Sequence, residues 1–160
     1  MDIFEFAMNM ELDGEKFYRE MAEKASYHGI KNILNMLADE EKGHYEAINK
    51  IKASAVTVAE SPVLDDAKNV FQRMKEYGEK FEVDTDQEQL YRKAMELEQK
   101  SVDFYQDRAD QVEESYQKDL FLKLVDEEKK HFRMMEALAD FVSNPDKWME
   151  DAEFTHLDQY

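Results

Sequence analysis

Among the glutamates that fall on apolar helical stripes, two are followed three residues later by a histidine, in Glu41-Lys42-Gly43-His44 and Glu128-Lys129-Lys130-His131. At about 100° of helical rotation per residue, positions i and i+3 project from one face, so each pair can present a carboxylate and an imidazole to one point. A single glutamate stands thirty residues before each pair, Glu11 before Glu41 and Glu98 before Glu128. Four carboxylates and two neutral imidazoles suit two divalent first-row metals. Two M²⁺ ions neutralise four carboxylates, and two M³⁺ ions with a bridging oxo group do the same. Such a site can lose two electrons without leaving net charge in a core.

The bland alternative is surface ion pairing. Glutamate fills 22 of 160 positions, so a given histidine has roughly a one in seven chance of a glutamate three places before it. One Glu-x-x-His is therefore weak. Two at the same offset, each opposite a glutamate that also falls on an apolar stripe, are a strong signal for ligation.

Those stripes define the elements that must position the ligands. Positions at steps of three and four form four stripes that are apolar except at these glutamates and histidines and at Glu15: Phe4, Met8, Glu11, Glu15, Tyr18 and Ala22; Ile30, Leu34, Leu37, Glu41, His44, Ile48 and Ile51; Tyr91, Met95, Glu98, Val102, Tyr105 and Ala109; Phe121, Leu124, Glu128, His131, Met135, Leu138 and Val142. The spacing predicts helices near 2–26, 29–53, 86–113 and 116–143. Short turns near residues 27 and 115 make antiparallel hairpins. The 54–85 stretch, with a weaker helical pattern from Asp65 to Phe81 ended by Gly78, is long enough to cross the bundle. The expected fold is all-α: a four-helix bundle over 1–143, two antiparallel hairpins joined by a long crossover, then a short acidic tail over 144–160 with no fifth bundle helix. The hairpins also repeat: a shift of 87 carries Met8 to Met95, Glu11 to Glu98, Tyr18 to Tyr105, Glu41 to Glu128 and His44 to His131 without insertion. An internal duplication about a pseudo-twofold axis is the economical account.

One Glu and one Glu-x-x-His from each half of a duplicated hairpin resemble the ferritin-like di-iron carboxylate proteins, specifically the rubrerythrin branch. The resemblance covers residues 1 to 140 and implies Glu11, Glu41, His44, Glu98, Glu128 and His131 as ligands of two iron ions (Fe²⁺/Fe³⁺, oxo- or hydroxo-bridged), with zinc or manganese as substitutes. It implies a redox enzyme that reduces hydrogen peroxide by two electrons, re-reduced by a separate rubredoxin-like donor protein. Iron handling, as a ferroxidase acting with O₂ or peroxide, is the rival reading, and a structural or interaction bundle the third. The family's cysteine-paired iron site is missing here, Met95 occupies the position of an extra family carboxylate, and Glu15 is a candidate additional ligand. Tyr18 and Tyr105, seven residues after Glu11 and Glu98, are candidates to hydrogen-bond a ligand or to act in redox steps, packing being the alternative. Glu40 and Glu127 are read as a solvated helix flank, with orientation of a histidine as the alternative. His156, near Asp151 and Glu153, is read as part of a tail packed through Trp148.

Composition sets the remaining bounds. With 38 acidic and 21 basic side chains the net charge is −17, which repels nucleic acid and anionic membranes. Zero cysteine excludes disulfides, thiolate nucleophiles and cysteine-ligated zinc or iron–sulfur centres. With no apolar run approaching the roughly 20 residues of a membrane span, the expected location is cytoplasmic. Symmetry preference makes a homodimer the expected assembly.

Overall fold

The computed structural model describes residues 2–51, 53–56, 58–151 and 154–158. The first hairpin is α1 (Ile3–Lys24) and α2 (His28–Ile51); the second is α4 (Thr85–Gln111) and α5 (Ser115–Ser143). Asp2 and Asp84 cap α1 and α4, their carboxylates accepting from the backbone N–H of Glu5 (2.8 Å) and Gln87 (2.9 Å), which satisfies donors a helix start leaves orphaned. No strand occurs among the described residues, and the architecture is a ferritin-like helical bundle. No helix among them is long and apolar enough to cross a membrane.

The bundle interior is layered along its axis. One apolar cluster gathers Tyr18, Leu34, Leu37, Tyr91, Met135 and Leu138, and the other Ala7, Ile48, Tyr105, Phe121 and Leu124. Between them the four long helices turn charged residues inward: Glu11, Glu41, His44, Glu98, Glu128 and His131 are all buried. The duplicated stripe makes this layer, because matched spacing in both hairpins brings the polar positions to one height.

Two connecting segments differ from expectation. The crossover helix α3 runs Val63–Glu76, beginning before and ending before the Asp65–Phe81 pattern suggests. Gly78, at φ +65°, takes the left-handed turn that lets the N–H of Glu79 reach the carbonyl of Met74 (3.2 Å), so the helix stops before Phe81. Far from a bare strap, α3 buries Val63, Ala67, Phe71 and Met74 as part of the core. The tail likewise folds back: α6 (Pro145–Met149) and a 3₁₀ turn (Thr155–Leu157) place Phe154 and Leu157 in the core at 1% exposure each. Acidic composition hid two further apolar anchors, Phe154 and Leu157, whose burial outweighs the tail's charge. Trp148 lies tilted against Phe71 (5.3 Å) and edge-on to Phe141 (6.4 Å), as its packing role required.

Candidate metal centre

Each ligand candidate comes from the midpoint of a long helix, where backbone hydrogen bonding is complete and the side chain alone is free to do chemistry. The six residues form two overlapping groups, Glu11, Glu41, His44 and Glu128 in one and Glu41, Glu98, Glu128 and His131 in the other, each with ligand atoms within 4.8 Å of one another. Glu41 and Glu128 are common to both. Glu11 with His44, and Glu98 with His131, complete the two ends. The pseudo-twofold symmetry of the sequence is thus present in the geometry.

Both imidazoles turn Nδ1 toward the carboxylates. His44 Nδ1 lies 2.8 Å from Glu128 Oε1 and 3.5 Å from Glu11 Oε2; His131 Nδ1 lies 2.6 Å from Glu41 Oε1 and 3.7 Å from Glu98 Oε1. The two rings face each other at 5.7 Å. Despite this crowding, Glu11 Oε2, Glu98 Oε2 and Glu128 Oε2 have no hydrogen-bond partner, and Glu41 Oε1 and His131 Nδ1 meet closely only each other. Each orphaned buried acceptor costs about 1–3 kcal/mol, and a charged one more. Three such oxygens, one each on Glu11, Glu98 and Glu128 and all buried in one layer, are lone pairs arranged for cations. Oxygen and imidazole nitrogen are also the donor set that first-row divalent metals prefer. The residues present therefore fit a pair of metal ions.

Metal-free, the cluster holds its charge unevenly. Burial, and then the charges of Glu11 and Glu98, push the Glu41 carboxyl well above its ordinary range. Glu128 is raised in the same way, by burial and then by Glu11, Glu41 and Glu98. For Glu11, burial pushes upward but His44 and the hydrogen bonds around it prevail, and the carboxyl sits low. Glu98 is low for the same balance, with Glu128 and His131 opposing burial. His131 is held well above its ordinary value, since contacts with Glu40 and Glu98 overcome burial. Protons thus offset part of the cluster's negative charge.

The surrounding residues orient the ligands, and several cross between hairpins. The Tyr18 hydroxyl on α1 donates to Glu98 Oε1 on α4, and the Tyr105 hydroxyl on α4 donates to Glu11 Oε1 on α1. Each bond occupies one carboxylate oxygen and leaves the other, Oε2, free. Burial, and then the nearby carboxylates, raise both phenols well above 10, so they stay donors at neutral pH.

Glu40 and Glu127 are not a solvated flank. Glu40 accepts from His131 Nε2 at 2.9 Å, which turns Nδ1 inward, and from Ser61 Oγ at 2.8 Å. Glu127 is 1% exposed and accepts from the Ser61 N–H at 3.0 Å. The crossover covers this side of α2 and α5 and dries it, a tertiary effect with no local sequence signal. The Ser61 link was invisible in the sequence for the same reason.

Glu15 lies outside both groups. It is one full turn past Glu11, but the 40° offset of an i+4 step swings it to the flank, where Arg19 pairs with it at 3.1 Å. Met95 packs on the apolar layer near Arg92 (3.8 Å) and brings no carboxylate. His156 pairs with Asp151 at 2.8 Å beside Trp148; Glu153 lies outside the described residues.

Sequence reasoning missed Gly14. A Cβ there would stand 2.6 Å from Glu41 Oε2, so only glycine lets this carboxylate lie against α1. The signal was available: a glycine in mid-helix costs about 1 kcal/mol relative to alanine, and its duplicate position holds Ser101. Beside Gly14 a cavity of about 490 Å³ opens between α1 and α4, with Tyr18, Glu41 and Glu98 at its inner end.

Fold and site together define a ferritin-like bundle with a buried carboxylate and histidine cluster suited to metal. A family model described as Rubrerythrin matches residues 2–139, and the chain belongs to that family. No curated protein and no solved structure matches it.

Proposed function

We propose that this chain is a non-haem di-iron oxidoreductase that reduces hydrogen peroxide to water, working as a homodimer in the cytoplasm with electrons from a separate rubredoxin-like donor protein. The observation that carries this reading is the pair of overlapping four-residue groups sharing Glu41 and Glu128, with unpartnered buried carboxylate oxygens on Glu11, Glu98 and Glu128. Bound iron would supply the electrons for O–O cleavage, held by Glu11, Glu41, His44, Glu98, Glu128 and His131. The chain's own residues supply the rest. Tyr18 and Tyr105 hold the end carboxylates in place by hydrogen bonds from the opposite hairpin. Glu40 holds the His131 ring. The apolar layers on either side keep bulk water from the centre.

The test is metal content after purification without air, followed by oxidation with peroxide and with O₂ in parallel. The expected result is about two irons per chain, faster reaction with peroxide, and a mass by light scattering of one to a few chains. Uptake of many irons per chain, or a mass of twenty or more chains, would favour iron storage instead.

A further inference from the structure

The cavity between α1 and α4 is larger and more apolar than hydrogen peroxide requires. A molecule of two oxygen atoms gains nothing from a chamber of about 490 Å³, a volume in the range of organic-ligand sites. Its walls are mainly Phe6, Met10 and Phe17 from α1 and Leu97 and Phe104 from α4, with the exposed Asp13 and Lys100 also lining it. Phe6 and Phe104 pair at 5.0 Å, while Phe6 and Leu97 remain 48% and 41% exposed. At the inner end the lining turns polar, with the carboxylates of Glu41 and Glu98 and the ring of Tyr18. Apolar walls with a polar floor match a ligand with an apolar body and one polar end. The two Glu-x-x-His helices contribute only Glu41 to this lining, so the cavity approaches the centre from the side of the single-glutamate helices.

We infer that this cavity binds the organic group of an alkyl or aryl hydroperoxide and delivers its O–OH end to the carboxylate cluster. The inference rests on the peroxide-reducing reading above and names a substrate class for that same site. The reaction is ROOH + 2e⁻ + 2H⁺ → ROH + H₂O. The O–O bond breaks and the hydroperoxide is reduced; iron held by the carboxylate and histidine cluster would supply the two electrons, ultimately from the one-electron donor protein, and two protons come from solvent. The alcohol product keeps the apolar body and leaves by the same opening.

Binding is testable apart from turnover. The neutral fluorescent probe N-phenyl-1-naphthylamine should bind the full-length protein at one site per chain, with and without metal, and cumene hydroperoxide's alcohol, 2-phenyl-2-propanol, should displace it. Ser101→Phe projects a ring into the cavity from α4 and should weaken the probe at least tenfold, with helical circular dichroism and metal content retained. Phe104→Ala removes a wall and should weaken it as well, which covers the case in which the bulkier variant fails to fold. Leu122→Ser, an exposed apolar position on α5 away from the cavity, should leave affinity unchanged. In the iron-loaded protein the ratio of kcat/KM for cumene hydroperoxide to that for hydrogen peroxide should fall at least tenfold in Ser101→Phe. Equal probe affinity in both cavity variants would overturn the inference. So would binding that tracks dimer dissociation by light scattering, which would assign the face to a second copy. Turnover of hydrogen peroxide without displaceable probe binding sinks the pocket and leaves the peroxide reading intact; displaceable binding without turnover of either peroxide sinks the peroxide reading.

Discussion

Gly14 illustrates how one missing methyl group can decide a ligand's position. Gly14→Ala places a Cβ where Glu41 Oε2 now lies, and the carboxylate must turn away. The substitution also favours the helix by about 1 kcal/mol. Opposite signs are therefore expected: the chelated variant melts at or above the parent, while its metal affinity falls roughly tenfold or more. Melting curves with and without chelator, alongside metal titration, check both. Glu40→Ala removes the acceptor that turns the His131 ring, and should weaken metal binding by about 10–100-fold with the fold retained, read by the same titration. At this scale the sequence made the six ligand candidates legible, since Glu-x-x-His at a repeated offset is a local pattern. It named Glu40 and Glu127 but favoured a solvated flank over orientation of a histidine, because their drying depends on Ser61 and the crossover folding over them.

The helices that carry the ligands were readable from their stripes, with ends within a few residues. Apolar periodicity is strong over more than twenty residues, whereas α3 and α6 are short and their patterns dilute. Those short elements nonetheless close one end of the bundle. Phe71 of α3 touches Phe141 at 5.1 Å, Trp148 at 5.3 Å and Phe154 at 5.8 Å, tying crossover, fourth long helix and tail into one aromatic cluster. Phe71→Ala should cost about 3–5 kcal/mol and lower the melting temperature by roughly 10 °C. The cluster lies in the apolar layer beyond the carboxylates, so metal content per folded chain should not change. Calorimetry and elemental analysis separate the two effects.

For the molecule as a whole, the metal-free protein should respond to pH in a direction set by its buried cluster. Glu41 and Glu128 sit above their ordinary 4.5 and His131 above its ordinary 6.5. Groups raised by folding lend stability that is full below their ordinary values and is lost as pH rises through the raised ones. Glu11, Glu98 and Glu40 are lowered, and lose their contribution only as pH falls below the ordinary carboxylate range. From about pH 5 upward the raised groups therefore dominate, and the chelated protein should weaken as pH rises. Metal replaces the protons, so chelator should depress melting more near neutral pH than in mild acid; equal depression at both would argue against cations in this layer. The shortest polar contacts of the centre, Tyr18 to Glu98, Tyr105 to Glu11, His44 to Glu128 and His131 to Glu41, all run from one hairpin to the other. Neither half owns a finished cage. During refolding each hairpin can form from near neighbours in sequence, but tight metal capture must wait until the halves dock. The ion is thus a stopwatch for the final assembly step: in stopped flow, helical signal should return first, and a metal-responsive dye should report uptake only afterwards.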